Sequence, residues 1–259
     1  MDLVFHYNVA RDRLPVPRRI FLDTHNPAMP IPPRNPNIQH LWPTAVLKKK
    51  FGQHQKVNQE LLELFYEHRH KNEKVPAPVF ASRDNLYVEY KDNPALGKLI
   101  KFIMDSVFEV ASEVNGKYWG RAQNIDVEIT GIWFQMSNAG GFHETHIHGN
   151  CSWSGVYYVQ VDGCSQSEND RKDGLLNGIT RFYGHHMEAV AGGHCEFGNI
   201  YLNESMSWDS YPENGVLVVF PSHLKHMVFP YKGEKDRVIV SFHARVHGET
   251  ELTYNYEFV

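Results

Sequence analysis

Ten of the chain's sixteen histidines lie between His143 and His247. Imidazole is a common metal ligand and the side chain that titrates nearest neutral pH. The densest group is the run Gly140-Gly141-Phe142-His143-Glu144-Thr145-His146-Ile147-His148. Residues two apart on an extended strand share a face. Glu144, His146 and His148 are therefore expected on one face and His143 on the other. Imidazole and carboxylate suit first-row metals, and a pair at i, i+2 on a rigid strand can bind one ion. A lone His-x-His is a short signal, and a polar strand with partly exposed histidines reads the same way.

A second cluster stands downstream. Glu213-Asn214-Gly215 makes a turn into the apolar run Val216–Phe220, and Pro221-Ser222-His223-Leu224-Lys225-His226 follows. His226 is a distal partner for the first group, with His223 as its rival. Arg237 then opens Arg237-Val238-Ile239-Val240-Ser241-Phe242-His243, where Arg237, Ile239 and Ser241 share a face. An arginine with a hydroxyl on one barrel-facing strand suits capture of a carboxylate. The plainer reading of Arg237 is a surface ion pair with Glu234 or Asp236. His185, His186, His194 and Cys195 fall in a glycine-rich stretch without regular ligand spacing, which is a weak case for zinc. Cys151 near the histidines lacks the context of a Cys–His nucleophile.

These residues need a scaffold. Seven of the fourteen prolines lie between Pro15 and Pro36. Proline fixes φ and removes a backbone donor, so residues 1–40 read as an extended arm. Val57, Leu61, Leu62, Leu64 and Phe65 recur at helical spacing. A longer amphipathic helix is expected from Pro94 to Val114, with Asn93 as its cap and proline in its first turn. From about residue 124 the apolar period changes to two. Strands are expected over 125–135, 154–161, 178–183, 215–220, 226–230 and 237–246, separated by turns such as Asp162-Gly163 and Asn214-Gly215. Helices followed by many short strands suggest a helical cover on a double-sheet or jelly-roll barrel. Two long polar segments, 163–177 and 184–211, read as binding loops.

Composition narrows the classes further. The 259 residues are 42% hydrophobic and 22% charged with a net charge of −4. They offer no basic footprint for nucleic acid, and Lys48-Lys49-Lys50 reads as a solvated edge. No run of about 18 apolar residues exists to span a membrane, and the N-terminus lacks a signal-peptide pattern. Three cysteines form no disulfide framework, so a cytoplasmic protein is expected.

Taken in order, these motifs resemble the non-haem Fe(II)- and 2-oxoglutarate-dependent oxygenases, and within them a bacterial and phage-type branch. The resemblance rests on the His-x-x-His-x-His segment, Trp153-Ser154-Gly155-Val156-Tyr157-Tyr158-Val159, the strand Gly215 to Ser222, His226 and Arg237. It covers about residues 124–246, with a weaker echo at Leu41-Trp42-Pro43-Thr44. It implies a mainly β fold with flanking helices, a double-stranded β-helix (jelly-roll or cupin-like) barrel. The implied division is the arm over 1–40 and one catalytic domain over 41–259, with helical cover 41–120, barrel 121–248 and a short tail.

The implied cofactors are Fe(II) and 2-oxoglutarate. Most relatives use two histidines and a carboxylate, whereas here the carboxylate position holds His148. The expected ligands are His146, His148 and His226; Glu144 or water in the third position are alternatives. Arg237 would clamp the distal carboxylate of 2-oxoglutarate with Ser241, and Tyr157 or Tyr158 would add a hydroxyl. His143 would orient a ligand or meet substrate. The implied reaction consumes O2, releases succinate and CO2, and hydroxylates a small-molecule or amino-acid-like substrate, with no nucleic-acid or membrane partner. The arm is a candidate homodimer contact. The alternatives are a cupin-like three-histidine iron dioxygenase without 2-oxoglutarate, and a non-catalytic β-barrel binding module.

Overall fold

The computed structural model describes residues 44–119, 123–171, 174–184 and 207–249. The expected arm, the tail, and His185, His186, His194 and Cys195 lie outside the described residues.

Two helices cover one side of the barrel. Helix α1 (His54–Asn72) buries Val57, Leu61 and Phe65. After the short α2 (Leu86–Glu89) comes α3 (Pro94–Trp119). The side chain of Asn93 accepts the Leu96 N–H at 3.0 Å, which satisfies one of the four donors that a helix start leaves unpaired. Pro94 follows in the first turn, where its missing N–H costs nothing. Leu96, Leu99, Ile103, Val107 and Ala111 form the fully buried stripe of α3. Each large aliphatic side chain so buried contributes roughly 1.5–3 kcal/mol. Among the described residues no helix is long and apolar enough to cross a membrane.

The strands are β1 (Leu47–Lys50), β2 (Val79–Ala81), β3 (Gln123–Ser137), β4 (Gly141–His146), β5 (Trp153–Gln160), β6 (Thr180–Tyr183), β7 (Ser207–Ser210), β8 (Val216–Pro221), β9 (His226–Tyr231) and β10 (Arg237–Glu249). They form a six-stranded sheet in the order β1-β8-β5-β10-β3-β2 and a four-stranded sheet in the order β4-β9-β6-β7. From β3 to β10 the chain passes between the two sheets, and neighbours within each sheet are antiparallel. This is the double-stranded β-helix topology.

Strand alternation divides the core into layers. On β10, Val238, Val240, Phe242 and Ala244 join the helix-side core with Tyr157 and Val159 of β5. Ile239 turns the other way, into the barrel with Val156, Tyr158, Val218 and Phe220. Arg237, Ser241 and His243 follow Ile239 by the same period of two. Gly155 is required by this packing. A Cβ there would overlap the Phe242 ring and approach the Val218 carbonyl to 2.6 Å.

The expected strands are present with ends shifted by a few residues. Five elements go beyond the sequence reading: β1, β2, α2 and, inside the expected loops 163–177 and 184–211, a 3-10 turn at Glu168–Asp170 and β7. The lysine run, read as a solvated edge, belongs to the edge strand β1. Lys49 pairs with Glu109 and Lys50 with Glu213 on the exposed side, a charged edge that resists further strand pairing.

Candidate functional site

His146 and His226 are placed opposite each other across the β4–β9 ladder. His148 lies two residues past the end of β4, where its backbone N–H donates to the Ser222 carbonyl at 2.9 Å. The rings converge, with centroids 4.3 Å apart for His146–His226, 5.0 Å for His146–His148 and 5.1 Å for His148–His226. One nitrogen from each lies within 4.8 Å of the others, so the group could hold a metal ion. Glu144 is exposed and stands outside this group. His223 is also exposed.

Backbone contacts settle two tautomers. His146 Nδ1 lies 2.6 Å from the Glu144 carbonyl, and His226 Nδ1 lies 2.8 Å from the Leu224 carbonyl. A carbonyl only accepts, so each Nδ1–H donates and each Nε2 keeps its lone pair. Burial lowers the pKa of His226 to about 4 and that of His148 to about 3, and neighbouring imidazoles add to both shifts. These rings are neutral at pH 7, the state a metal requires.

The expectation that His143 points away from His146 is corrected. His143 pairs with Val228 and His146 with His226, so three steps along β4 match two along β9. The extra residue is a β-bulge. It breaks the alternation, and His143 joins His146 on the cavity wall with its Nε2 buried and unpartnered. Burial, then the Arg237 charge and His146, lower its pKa to about 4.

Arg237 is 1% exposed. Its neighbour Asp236 pairs instead with Arg69 at 2.9 Å, so the surface ion-pair reading of Arg237 does not hold. Arg237 Nε donates to the Gly178 carbonyl at 3.1 Å, and the guanidinium carbon lies 5.3 Å from the centre of the Tyr158 ring. Both Nη1 and Nη2 are buried without a hydrogen-bond partner. Buried charged donors are costly when unpaired, and two free Nη groups on one guanidinium match the two oxygens of a carboxylate.

Arg237, Ser241, His143 and the three histidines line one cavity of about 110 Å³, together with Trp133, Gln135 and Thr180. That is well under the roughly 300–1,000 Å³ of drug-sized pockets and suits a small acid. Of the two tyrosines considered, Tyr157 faces the helices and donates to Asn58 Oδ1 at 2.6 Å. Tyr158 lies in the barrel core with its hydroxyl 3.3 Å from Thr180 Oγ1. A larger hollow of about 470 Å³ lies between α2, α3 and β3. No histidine or arginine lines it, so the smaller cavity is the chemical one.

Sequence reasoning missed Trp133, Gln135, Thr180 and His243. His243 Nε2 lies 2.9 Å from His148 Nδ1. The alternation that grouped Arg237 with Ser241 extends to His243, and Trp133 and Gln135 alternate likewise on β3.

Residues 131–243 match the family model described as "Putative 2OG-Fe(II) oxygenase". No curated protein is a significant match. Solved structures similar to this chain include a Pseudomonas putida prolyl-4-hydroxylase, 14% identical over 78% of this chain and 94% of that one, with a TM-score of 0.47. HygX from Streptomyces hygroscopicus, with nickel and 2-oxoglutarate bound, is 12% identical over 81% and 84%, with a TM-score of 0.49. The non-haem α-ketoglutarate-dependent epimerase SnoN, from nogalamycin biosynthesis, is 9% identical over 78% and 76%, also with a TM-score of 0.49.

Proposed function

We propose that this chain, whose residues 131–243 match the 2-oxoglutarate- and Fe(II)-dependent oxygenase family model, is such an oxygenase and hydroxylates a small, polar, amino-acid-like molecule. His146, His148 and His226 hold the iron, and Arg237 holds the distal carboxylate of 2-oxoglutarate. The observation that carries this reading is the pair of unpartnered Nη groups on a buried arginine, in the same small cavity as three converging imidazoles. The donor set fits both groups. Neutral imidazoles suit first-row divalent metals, and the guanidinium fork suits a carboxylate.

When bound, Fe(II) and 2-oxoglutarate supply O2-dependent oxidation of a substrate C–H bond, coupled to decarboxylation of the keto acid to succinate and CO2. The protein's own residues do the rest. Arg237 orients the acid by one end, and the Tyr158 ring and Gly178 carbonyl hold the guanidinium in place. Tyr158 thus acts through Arg237, while Ser241 adds a hydroxyl to the wall. Apolar walls from Val228, Phe220 and Ile239 exclude water, which strengthens each polar contact inside. Gln135, Trp133 and His143 face the remaining space and offer substrate an amide, an indole and an imidazole.

A cupin-like dioxygenase without 2-oxoglutarate is the second reading, and the lack of a carboxylate in the histidine group favours it. The buried Arg237 supports the first. The test is succinate release by iron-loaded enzyme, screened against amino acids and small hydroxy or keto acids. The proposal expects succinate stoichiometric with oxidised substrate, and loss of most of both products in Arg237→Ala at a 2-oxoglutarate concentration that just saturates wild type. Substrate oxidation without any 2-oxoglutarate requirement would establish the second reading instead.

A further inference from the structure

All three clustered imidazoles use Nδ1 in a hydrogen bond, but their partners differ in kind. His146 and His226 meet backbone carbonyls, which only accept. His148 meets another imidazole, with His243 Nε2 at 2.9 Å. An imidazole nitrogen donates or accepts according to where its own proton sits. If His243 accepts, His148 carries its proton on Nδ1 and presents the Nε2 lone pair to the metal. If His243 donates, the neutral His148 ring carries its proton on Nε2 and cannot bind through that atom.

The surroundings of His243 favour the first arrangement. Its place on β10 lies between Gly131 of β3 and Ser154 of β5. Trp133 packs edge-on against the ring at 4.8 Å. The space above Gly131 is flanked by His243 Nδ1 and by Asp84. A Cβ there would lie 3.9 Å from the former and 3.7 Å from the Asp84 Cβ. Asp84 and the Nδ1 edge of His243 therefore border the same space. A nearby carboxylate draws the proton to Nδ1 and leaves Nε2 as the acceptor.

We propose that His243 is a positioning residue that fixes the tautomer of His148, with Asp84 fixing that of His243 in turn. The proposal rests on the reading of His146, His148 and His226 as metal ligands. Two ligands are therefore locked by the backbone, and the third by a side-chain relay that mutation can break.

The test is anaerobic titration of the full chain with Co(II), reading both affinity and visible absorption, for wild type, His243→Leu and His243→Gln. Leucine keeps much of the packing and removes the acceptor; glutamine returns a carbonyl acceptor at similar reach. The expected result is a 10- to 100-fold loss of affinity with an altered spectrum in the leucine variant, and recovery of most of both in the glutamine variant. Wild-type affinity and spectrum in His243→Leu would overturn the relay and leave the metal site standing. Equal loss in both variants would also overturn it, since a packing role is not rescued by an acceptor. No Co(II) binding by wild type would overturn the metal-site reading itself.

Discussion

At the scale of single residues, charge and protonation decide the site. Truncating one partner of a buried, hydrogen-bonded charge pair costs about 2–5 kcal/mol. Arg237→Ala is expected to raise the 2-oxoglutarate requirement by at least tens of fold while leaving Fe(II) affinity near wild type. Measuring KM for 2-oxoglutarate beside metal affinity checks the split. The histidines predict a pH effect whose sign follows from their lowered pKa values. His143, His148 and His226 titrate at about 4, 3 and 4 in the folded protein, against about 6.5 in an unfolded chain. The unfolded state gains protons first as pH falls. Their contribution to stability is complete above about pH 6.5 and declines toward pH 3–4. Thermal unfolding of the metal-free protein should therefore show Tm falling below pH 6.5, and a variant lacking all three imidazoles should lose that component of the slope.

At the scale of elements, the site depends on two departures from regular strand geometry. One is the β4 bulge, which brings His143 round to the cavity; the other is Gly178, which carries the carbonyl that holds Arg237. Gly178 has φ of +66°, and a Cβ there would lie 2.7 Å from the Tyr231 ring and 3.0 Å from Cys164 Sγ. Gly178→Ala should destabilise the fold by roughly 1–3 kcal/mol through overpacking and strain. It should also raise the 2-oxoglutarate requirement by displacing the support of Arg237; an unchanged KM with the expected Tm loss would count against that role. These departures mark where sequence reading stops. Period two placed Arg237, Ile239 and Ser241 together because β10 pairs with β3 without a register shift from Arg237 to His243. The same rule misplaced His143 because a bulge leaves no mark in Phe142-His143-Glu144-Thr145-His146. The edge strand β1 was hidden for another reason: Leu47-Lys48-Lys49-Lys50 has no apolar alternation, and its extended form comes from pairing with β8.

At the scale of the whole molecule, stability and chemistry occupy opposite faces of one sheet. Helices α1 and α3 cover the side bearing Tyr157, Val240 and Phe242, and the barrel side carries the site. A cavity made on the helix face should weaken the fold without entering the chemistry. Ile103→Ala, fully buried on α3, is expected to cost about 2–5 kcal/mol and leave the 2-oxoglutarate KM of the folded fraction unchanged, as urea unfolding and steady-state kinetics would show. The order of helices and strands was legible because long periodic segments declare themselves, and the spaced histidines and Arg237 pointed to one site. Trp133, Gln135 and Thr180 were not legible as cavity residues, since each reads as an ordinary strand position until the two sheets face each other. The central claim is that iron on the three histidines and 2-oxoglutarate on Arg237 share one cavity. The most direct measurement is anaerobic: add Fe(II), then 2-oxoglutarate, and record visible spectra of wild type and Arg237→Ala. A metal-to-ligand charge-transfer band in wild type, weakened in the variant at the same 2-oxoglutarate concentration, is the predicted result. Stoichiometric iron without any such band in wild type would contradict the account.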